Sequence, residues 1–463
     1  MERTIPTSAS SNSVLQFPTP PKAMSGAEPA HPQVPYDDTP SWNSPTSVFM
    51  GTSGRLSSSS GSETSEASEE TTVQQMEHVA LAGPIRACNA SKPLLNFSPG
   101  PAPLPATVLE EIQAELLNWR GTGSSVLCMS HRSPEFGVIY AETVASIKAL
   151  LRVPSTHEVI FTHGGGHGQF AAVPLNLAAE GAKVDYLVSG TWSKRAAAEA
   201  SKWCSVREIC PQGDAASTGL PPRDEWVLDP EASYRYICSN ETINGTEFHR
   251  MPEFDDGVPL VVDMSSDIAS KALDWDRIGV AFACAPKNIG HAGLTVVIIR
   301  RDLITERTAQ ATCPGVLNWR TTCESGGMWN TPPTFNIYTT GKVMDWMIAE
   351  GGIDEMESRA IRKSNAVMDV VDESGGFYNT PCQVKADRSR MNVPFDVCGG
   401  DEKATEAFLI GAYELNMVGF RTKTPFGYGK YLRASFYTGT NVEQADTLAA
   451  YMRQFQAEYQ ENI

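Results

Sequence analysis

Asp263 and Lys287 are the side chains from which chemistry reads most directly. Asp263 closes the apolar run Leu260, Val261, Val262; Lys287 follows shortly after the run Val280, Ala281, Phe282, Ala283. An acid and an amine brought together allow two arrangements. One is a salt bridge, or a lysine on a solvated loop. The other is a pyridoxal phosphate site, in which lysine condenses with the cofactor aldehyde and the carboxylate keeps the pyridine nitrogen protonated. The protonated ring then withdraws electrons and makes a substrate α-proton acidic, and the released lysine is placed to move that proton.

The elements that must position this pair are buried strands. Short continuous apolar runs bounded by turn residues suit a parallel sheet covered on both faces. In such a sheet functional groups gather at the carboxyl ends of the strands, so Asp263 and Lys287 can face one pocket. Residues 158–163 predict another strand, followed by the glycine run 164–168 and a helix from Gln169. Backbone N–H groups and a helix start make an anion site there. The same glycines satisfy a loose dinucleotide fingerprint with Asp185 as ribose partner. Asp185 falls inside the strand predicted over 183–188, not at its end, so a phosphate cradle ranks higher.

Trp192 follows that strand on a loop, ahead of a helix from Ser193, where its indole could stack on a flat ring or simply join the core. Thr242 follows the strand over 235–238 and could bond a cofactor hydroxyl; an ordinary loop threonine is the alternative. His131 and Arg132 sit in a short loop, as an exposed turn or as a clamp for an anion. Thr107 is expected to cap a helix through Trp119, with Val108, Ile112, Leu116 and Leu117 at helical spacing. Five consecutive strand ends would thus carry a glycine loop, Trp, Thr, Asp and Lys around one aromatic phosphate.

Residues 1–90 differ in kind. They are rich in Ser, Thr and Pro and lack periodic apolar positions, so they are expected to be a disordered tail. The net charge of −17 argues against nucleic acid or an anionic membrane as partner. The ten cysteines show no CxxC pair or zinc-like spacing, and no apolar leader opens the chain. Free thiols and a cytoplasmic location follow, with no metal expected.

At this point the chain resembles the phosphoserine aminotransferase family of class V. The similarity lies in NFSPGPAPLP from Asn96, MSHRSPEF from Met129, HGGGHGQFAAVPLNLA from His163, GTWS from Gly190, NETINGTEF from Asn240, VVDMSSDIASKALDW from Val261, APKNIGHAGLTVVIIRRDL from Ala285, WNTPPTF from Trp329, RSRMNVPF from Arg388 and LRASFY from Leu432. The resemblance implies an α/β fold: a fold-type I pyridoxal phosphate-dependent transferase. Its large domain (residues 91–350) would carry a mainly parallel sheet, and a smaller α+β C-terminal domain would span residues 351–463.

The resemblance also implies roles. Lys287 would bind the cofactor covalently and Asp263 would pair with its pyridine nitrogen. Trp192 would stack on the ring, Thr242 would bond near its hydroxyl, and Gly166 and His167 would hold its phosphate. The partner subunit's Asn330 and the partner subunit's Thr331 would reach that phosphate, so a homodimer with shared active sites is implied. Arg433 would bind the substrate α-carboxylate, and His131 and Arg132 its distal acid group. The implied reaction moves an amino group between glutamate and 3-phosphohydroxypyruvate, giving 2-oxoglutarate and phosphoserine.

The chain departs from the family in two places. Pro286 stands where Gln usually precedes the lysine, which removes a side-chain donor and a backbone N–H. Residues 421–433 lack the family's His-Arg pair, and Lys423 or Lys430 is left to compensate. These departures leave open a paralogue acting on another amino or keto acid. A lyase of the same fold would need a cysteine in a glycine-rich catalytic loop, which is not recognisable. A non-catalytic interaction protein is opposed by Lys287.

Overall fold

The apolar runs fold as strands in the computed structural model, which describes residues 93–210, 218–254, 256–421, 423, 424, 427, 428 and 430–461. The tail expected over residues 1–90 lies outside the described residues. In chain order the first elements are β1 (Leu95–Asn96), α1 (Ala106–Glu115), α2 (Pro134–Leu150), β2 (His157–Thr162), α3 (Gly165–Leu177), β3 (Lys183–Leu187), α4 (Thr191–Ala200) and β4 (Ser205–Glu208). Then come β5 (Arg235–Cys238), β6 (Asn240–Glu241), β7 (Thr246–Glu247), β8 (Leu260–Asp263), β9 (Ile278–Cys284), β10 (Thr295–Arg300), α5 (Thr334–Ala349) and α6 (Gly352–Glu373). The last are β11 (Tyr378–Asn379), β12 (Asn392–Val397), α7 (Glu402–Glu414), β13 (Met417–Val418), β14 (Lys423–Thr424), β15 (Gly427–Tyr428), β16 (Leu432–Ser435) and α8 (Val442–Glu461).

The central sheet has seven strands in the order β2-β10-β9-β8-β5-β3-β4. From β9 to β4 every pair is parallel, while β10 runs antiparallel to both β9 and β2. Alternate residues leave on opposite faces. Val262, Ala281 and Ile298 join one core with Ile139 and Ile147 of α2 and Ile337 of α5. Val261, Phe282 and Ile299 join the other with Phe170 of α3 and Ala196 of α4. Both faces are covered, so the runs are continuous rather than alternating.

A third core gathers Val367 of α6, Phe395 of β12, Phe408 of α7 and Leu448 of α8 against the antiparallel sheet β11-β12-β16. Strand β12 and helix α8 lie there, so this unit is α+β as expected. Phe97 also enters this core, and β1 pairs in parallel with β13, Leu95 facing Met417.

Several local expectations change. Thr107 does not cap α1: Pro105 occupies the N-cap in extended conformation, and Ala106 is already helical. The helix stops at Glu115, and Leu117 is 83% exposed, so the apolar stripe ends at Ile112. Helix α3 begins at Gly165 rather than Gln169, because Gly164 at φ 89° bends the chain directly into its first turn. Trp192 lies in the first turn of α4 rather than on a loop. The five strand ends are not consecutive, since β4 intervenes; its half-exposed Ser-Val-Arg-Glu lacks the apolar run that marks the others. Among the described residues no helix is long and apolar enough to cross a membrane.

Candidate active site

Asp263 ends β8, and Lys287 stands three residues beyond β9, its parallel neighbour. Both line one cavity of about 120 Å³, together with Gly166, His167, Trp192 and Ser265. No ion pair joins them among the described residues, which removes the simple salt bridge. The Asp263 carboxylate is 5% exposed; it accepts the Ser265 N–H at 2.9 Å and the Tyr236 hydroxyl at 3.3 Å. Burial holds its pKa above the ordinary value, against the Ser265 hydrogen bonds and the Lys287 charge. Burial also opposes the charge on Lys287, but Tyr437, Cys284 and Asp263 outweigh it and keep the ammonium above its usual range.

Trp192 is fixed at both ends by one dipeptide. Its indole N–H donates to Thr242 Oγ1 at 2.9 Å, and its backbone N–H donates to Glu241 Oε2 at 2.9 Å. Glu241 Oε1 also accepts the Ser193 N–H at 2.7 Å and the Ser193 hydroxyl at 2.6 Å. A buried carboxylate thus caps α4 and complements its dipole. Gly190 is required for that approach: a Cβ there would lie 2.6 Å from Glu241 Cδ. The Lys287 Nζ stands 5.3 Å from the Trp192 ring centre.

Arg433 reaches the same threonine. Its Nη1 donates to Thr242 O at 2.7 Å and to Thr242 Oγ1 at 3.3 Å. The hydroxyl oxygen therefore receives two donors, and its own proton is left to point elsewhere. Gly166 and His167 lie in the first turn of α3, where backbone N–H groups have no partner within the helix. Pro286 anchors the entry to the site: its carbonyl accepts the Ala102 N–H at 2.8 Å, docking the opening Pro/Gly loop beside Lys287.

The structure thus brings together Gly166, His167, Trp192, Thr242, Asp263, Lys287 and Arg433. It does not bring His131, Arg132, Asn330 or Thr331 to the lining of this cavity within the chain. His131 and Arg132 form the turn before α2, with Arg132 exposed. Asn330 and Thr331 are exposed, and Asn330 Nδ2 lies 3.4 Å from His163 Nε2. In the rebuilt stretch β14 pairs with β15, and the Lys423 side chain lies outside the described residues. Lys430 is paired with the buried Asp396 at 2.8 Å. Asp185 is taken up elsewhere: it accepts the Asp229 N–H at 2.8 Å and faces Arg235 at 3.5 Å, which ends the nucleotide reading.

Sequence reasoning missed Glu241, Tyr236 and Ser265. Glu241 adjoins Thr242 and Ser265 follows Asp263 closely, so adjacency was the available signal; Tyr236, inside β5, gave none.

Comparison with known proteins agrees with this geometry. The family profile described as aminotransferase class-V matches residues 94–448. A probable phosphoserine aminotransferase of Caenorhabditis elegans is 41% identical over 365 residues, covering 78% of this chain and 96% of that protein. A phosphoserine aminotransferase of Azotobacter vinelandii is 42% identical over 369 residues, covering 80% and 99%. The solved structure of a PLP-bound phosphoserine aminotransferase from Trichomonas vaginalis superposes with a TM-score of 0.73 at 35% identity, covering 78% of this chain and 100% of that one. This chain therefore belongs to the class-V aminotransferases and, within them, to the phosphoserine aminotransferase family.

Proposed function

We propose that this protein is a pyridoxal phosphate-dependent transaminase that moves an amino group between glutamate and 3-phosphohydroxypyruvate, giving 2-oxoglutarate and phosphoserine. The observation that carries this reading is the convergence of Asp263, Lys287, Trp192 and the Thr242–Arg433 pair, in a chain that matches its relatives over nearly their whole length. The donor set fits the cofactor. A buried carboxylate suits a basic ring nitrogen, the first turn of α3 suits a phosphate, and an anchored indole suits an aromatic face.

When bound, pyridoxal phosphate supplies an electron sink that acidifies the α-proton of an amino acid. Lys287 would hold the cofactor, and it lines the cavity where its Nζ would take and return a substrate α-proton. Asp263 would keep the ring nitrogen protonated, and Tyr236 and Ser265 orient that carboxylate. Gly166 and His167 would hold the phosphate through backbone N–H groups. Thr242 would turn its hydroxyl proton toward the cofactor, and Trp192 would cover the ring. Arg433 leaves part of its contact with Thr242 to take the substrate α-carboxylate as a two-point fork.

The remaining assignments belong to the same proposal. His131 and Arg132 take the distal phosphate, and the partner subunit's Asn330 and the partner subunit's Thr331 complete the cofactor phosphate site of a homodimer. Residues 91–350 serve as the cofactor domain and 351–463 as the small domain, supported by two cores that fall mostly on either side of that boundary, with Ile353 and Met356 crossing into the first and Phe97 into the second. A cytoplasmic location is supported by the described cysteines, which are free thiols.

The test is a visible spectrum of the purified protein with pyridoxal phosphate. Glutamate and phosphoserine should each bleach the lysine-bound cofactor band. Bleaching by glutamate alone would overturn the substrate assignment, and the absence of any band would overturn the enzyme reading.

A further inference from the structure

Lys363 is a buried amine that the site chemistry above does not use. It lies on α6 and is 5% exposed. Its Nζ donates to three backbone carbonyls: Phe436 at 2.9 Å, Tyr437 at 3.0 Å and Thr440 at 2.9 Å. All three belong to residues 436–440, which follow the strand of Arg433. An ammonium has three donors, and each has an acceptor here. Among the described residues no carboxylate pairs with it. Arg359, one turn earlier on α6, is held by Glu350 and Glu355, and Arg362 by Glu355. Glu443 of α8 lines the same cavity as Lys363.

The clamped segment reaches the site by two routes. Tyr437 accepts the Asn392 amide at 3.1 Å and donates to Pro99 O at 3.2 Å. It is close enough to Lys287 and Arg433 for both charges to bear on its phenol. Thr438 holds the residue next to Lys287: its N–H donates to Asn288 Oδ1 at 2.9 Å, and its hydroxyl lies 2.7 Å from both Asn288 O and Asn288 Oδ1. Lys287 and Asn288 line different cavities. Asn288 lines a second one of about 500 Å³, shared with Lys363 and Thr438.

We infer that Lys363 is a positioning residue for the reaction: its ammonium fixes residues 436–440 and, through Tyr437 and the Thr438–Asn288 contact, sets where Lys287 and Arg433 stand. The inference rests on the reading of Lys287 as the cofactor lysine. The clamp needs the charged form, because a neutral amine keeps two N–H donors and must release one carbonyl. Burial, reinforced by the Arg359 charge, pushes the Lys363 pKa down to about 7. The segment is therefore held at three points below about pH 7 and at two above it.

The experiment uses the full chain loaded with pyridoxal phosphate, as wild type, Lys363→Met, Lys363→Arg and Thr438→Val. The glutamate half-reaction is followed across neutral pH, with kcat and KM standing for its limiting rate and half-saturation concentration, and amide hydrogen exchange of residues 436–440 is measured on the cofactor-free protein. Lys363→Met should lower kcat about tenfold while KM for glutamate moves less than about threefold. It should also remove the fall in rate above neutrality and speed exchange of the segment about tenfold. Lys363→Arg, which cannot lose its charge, should keep kcat within about threefold and lose the same pH dependence. Thr438→Val should reproduce the kcat loss and keep the pH dependence. A Lys363→Met protein matching wild type in kcat, pH profile and exchange overturns the inference. If that variant does not fold, an unchanged kcat in Thr438→Val overturns it instead. A wild-type protein with no lysine-bound cofactor band would fail the functional reading rather than this one, and unchanged segment exchange in Lys363→Met would then decide against the clamp.

Discussion

The indole N–H of Trp192 ends on the hydroxyl oxygen of Thr242, 2.9 Å away. One side chain on a turn thus fixes the orientation of the indole ring. Thr242→Val keeps the shape and removes the acceptor. It should raise the cofactor dissociation constant about tenfold, the worth of one buried hydrogen bond. Titration of the cofactor-free protein by Trp fluorescence checks this, and Thr242→Ser should restore wild-type affinity.

Glu241 is the second anchor of the same tryptophan. It is fully buried and accepts three donors from Trp192 and Ser193. Glu241→Gln places an amide N–H₂ among N–H donors and removes the charge at the start of α4. The fold should lose about 2–3 kcal/mol, read as a lower urea midpoint with unchanged slope.

Lys287→Ala should leave the melting temperature near that of wild type, since the side chain is half-buried and makes no ion pair among the described residues. The lysine-bound cofactor band should vanish, and the glutamate half-reaction should slow by about 10²–10⁴-fold. Added methylamine should recover part of the rate if the lysine acts as the proton carrier.

Glu247 gives an acid-stability prediction. Burial opposes its charge, but Lys271 at 3.0 Å and Arg390 at 2.7 Å overcome this and hold the carboxyl down to about 2, below an ordinary 4.5. The unfolded chain therefore takes up this proton first as pH falls. The stabilisation is complete above pH 4.5 and is lost progressively toward pH 2, amounting to about 3 kcal/mol. Urea melts at stepped pH should show this slope in wild type and a shallower one in Glu247→Gln.

Much of the sheet was legible because its strands are buried on both faces. The run over 235–238 is β5 without change, and Asp263 and Lys287 stand where strand ends were expected. The helix starts at Gly165 and Thr191 were not legible. Glycines are poor helix formers, so α3 reads as loop until Gly164 is seen to turn the chain. Helix α4 begins at Thr191 because a carboxylate far along the chain, Glu241, receives the N–H groups of Trp192 and Ser193. A cap supplied by a distant residue leaves no local signature. The same holds for Lys363, whose three acceptors are backbone atoms and so carry no residue-type signal.

The pairing of Leu95 with Met417 has a consequence for synthesis and folding. The first strand among the described residues waits for a partner more than three hundred residues downstream, while Ala102, a few residues later, is bonded to Pro286 beside the site lysine. Contacts of such sequence separation close late, because the intervening chain must first be ordered. The seven-stranded sheet can assemble on a nascent chain that ends near Arg300, but the loop over Lys287 gains its anchoring strand only once residue 418 has emerged. A ribosome-bound chain will therefore carry all seven strands of the central sheet before the loop over Lys287 has its anchor.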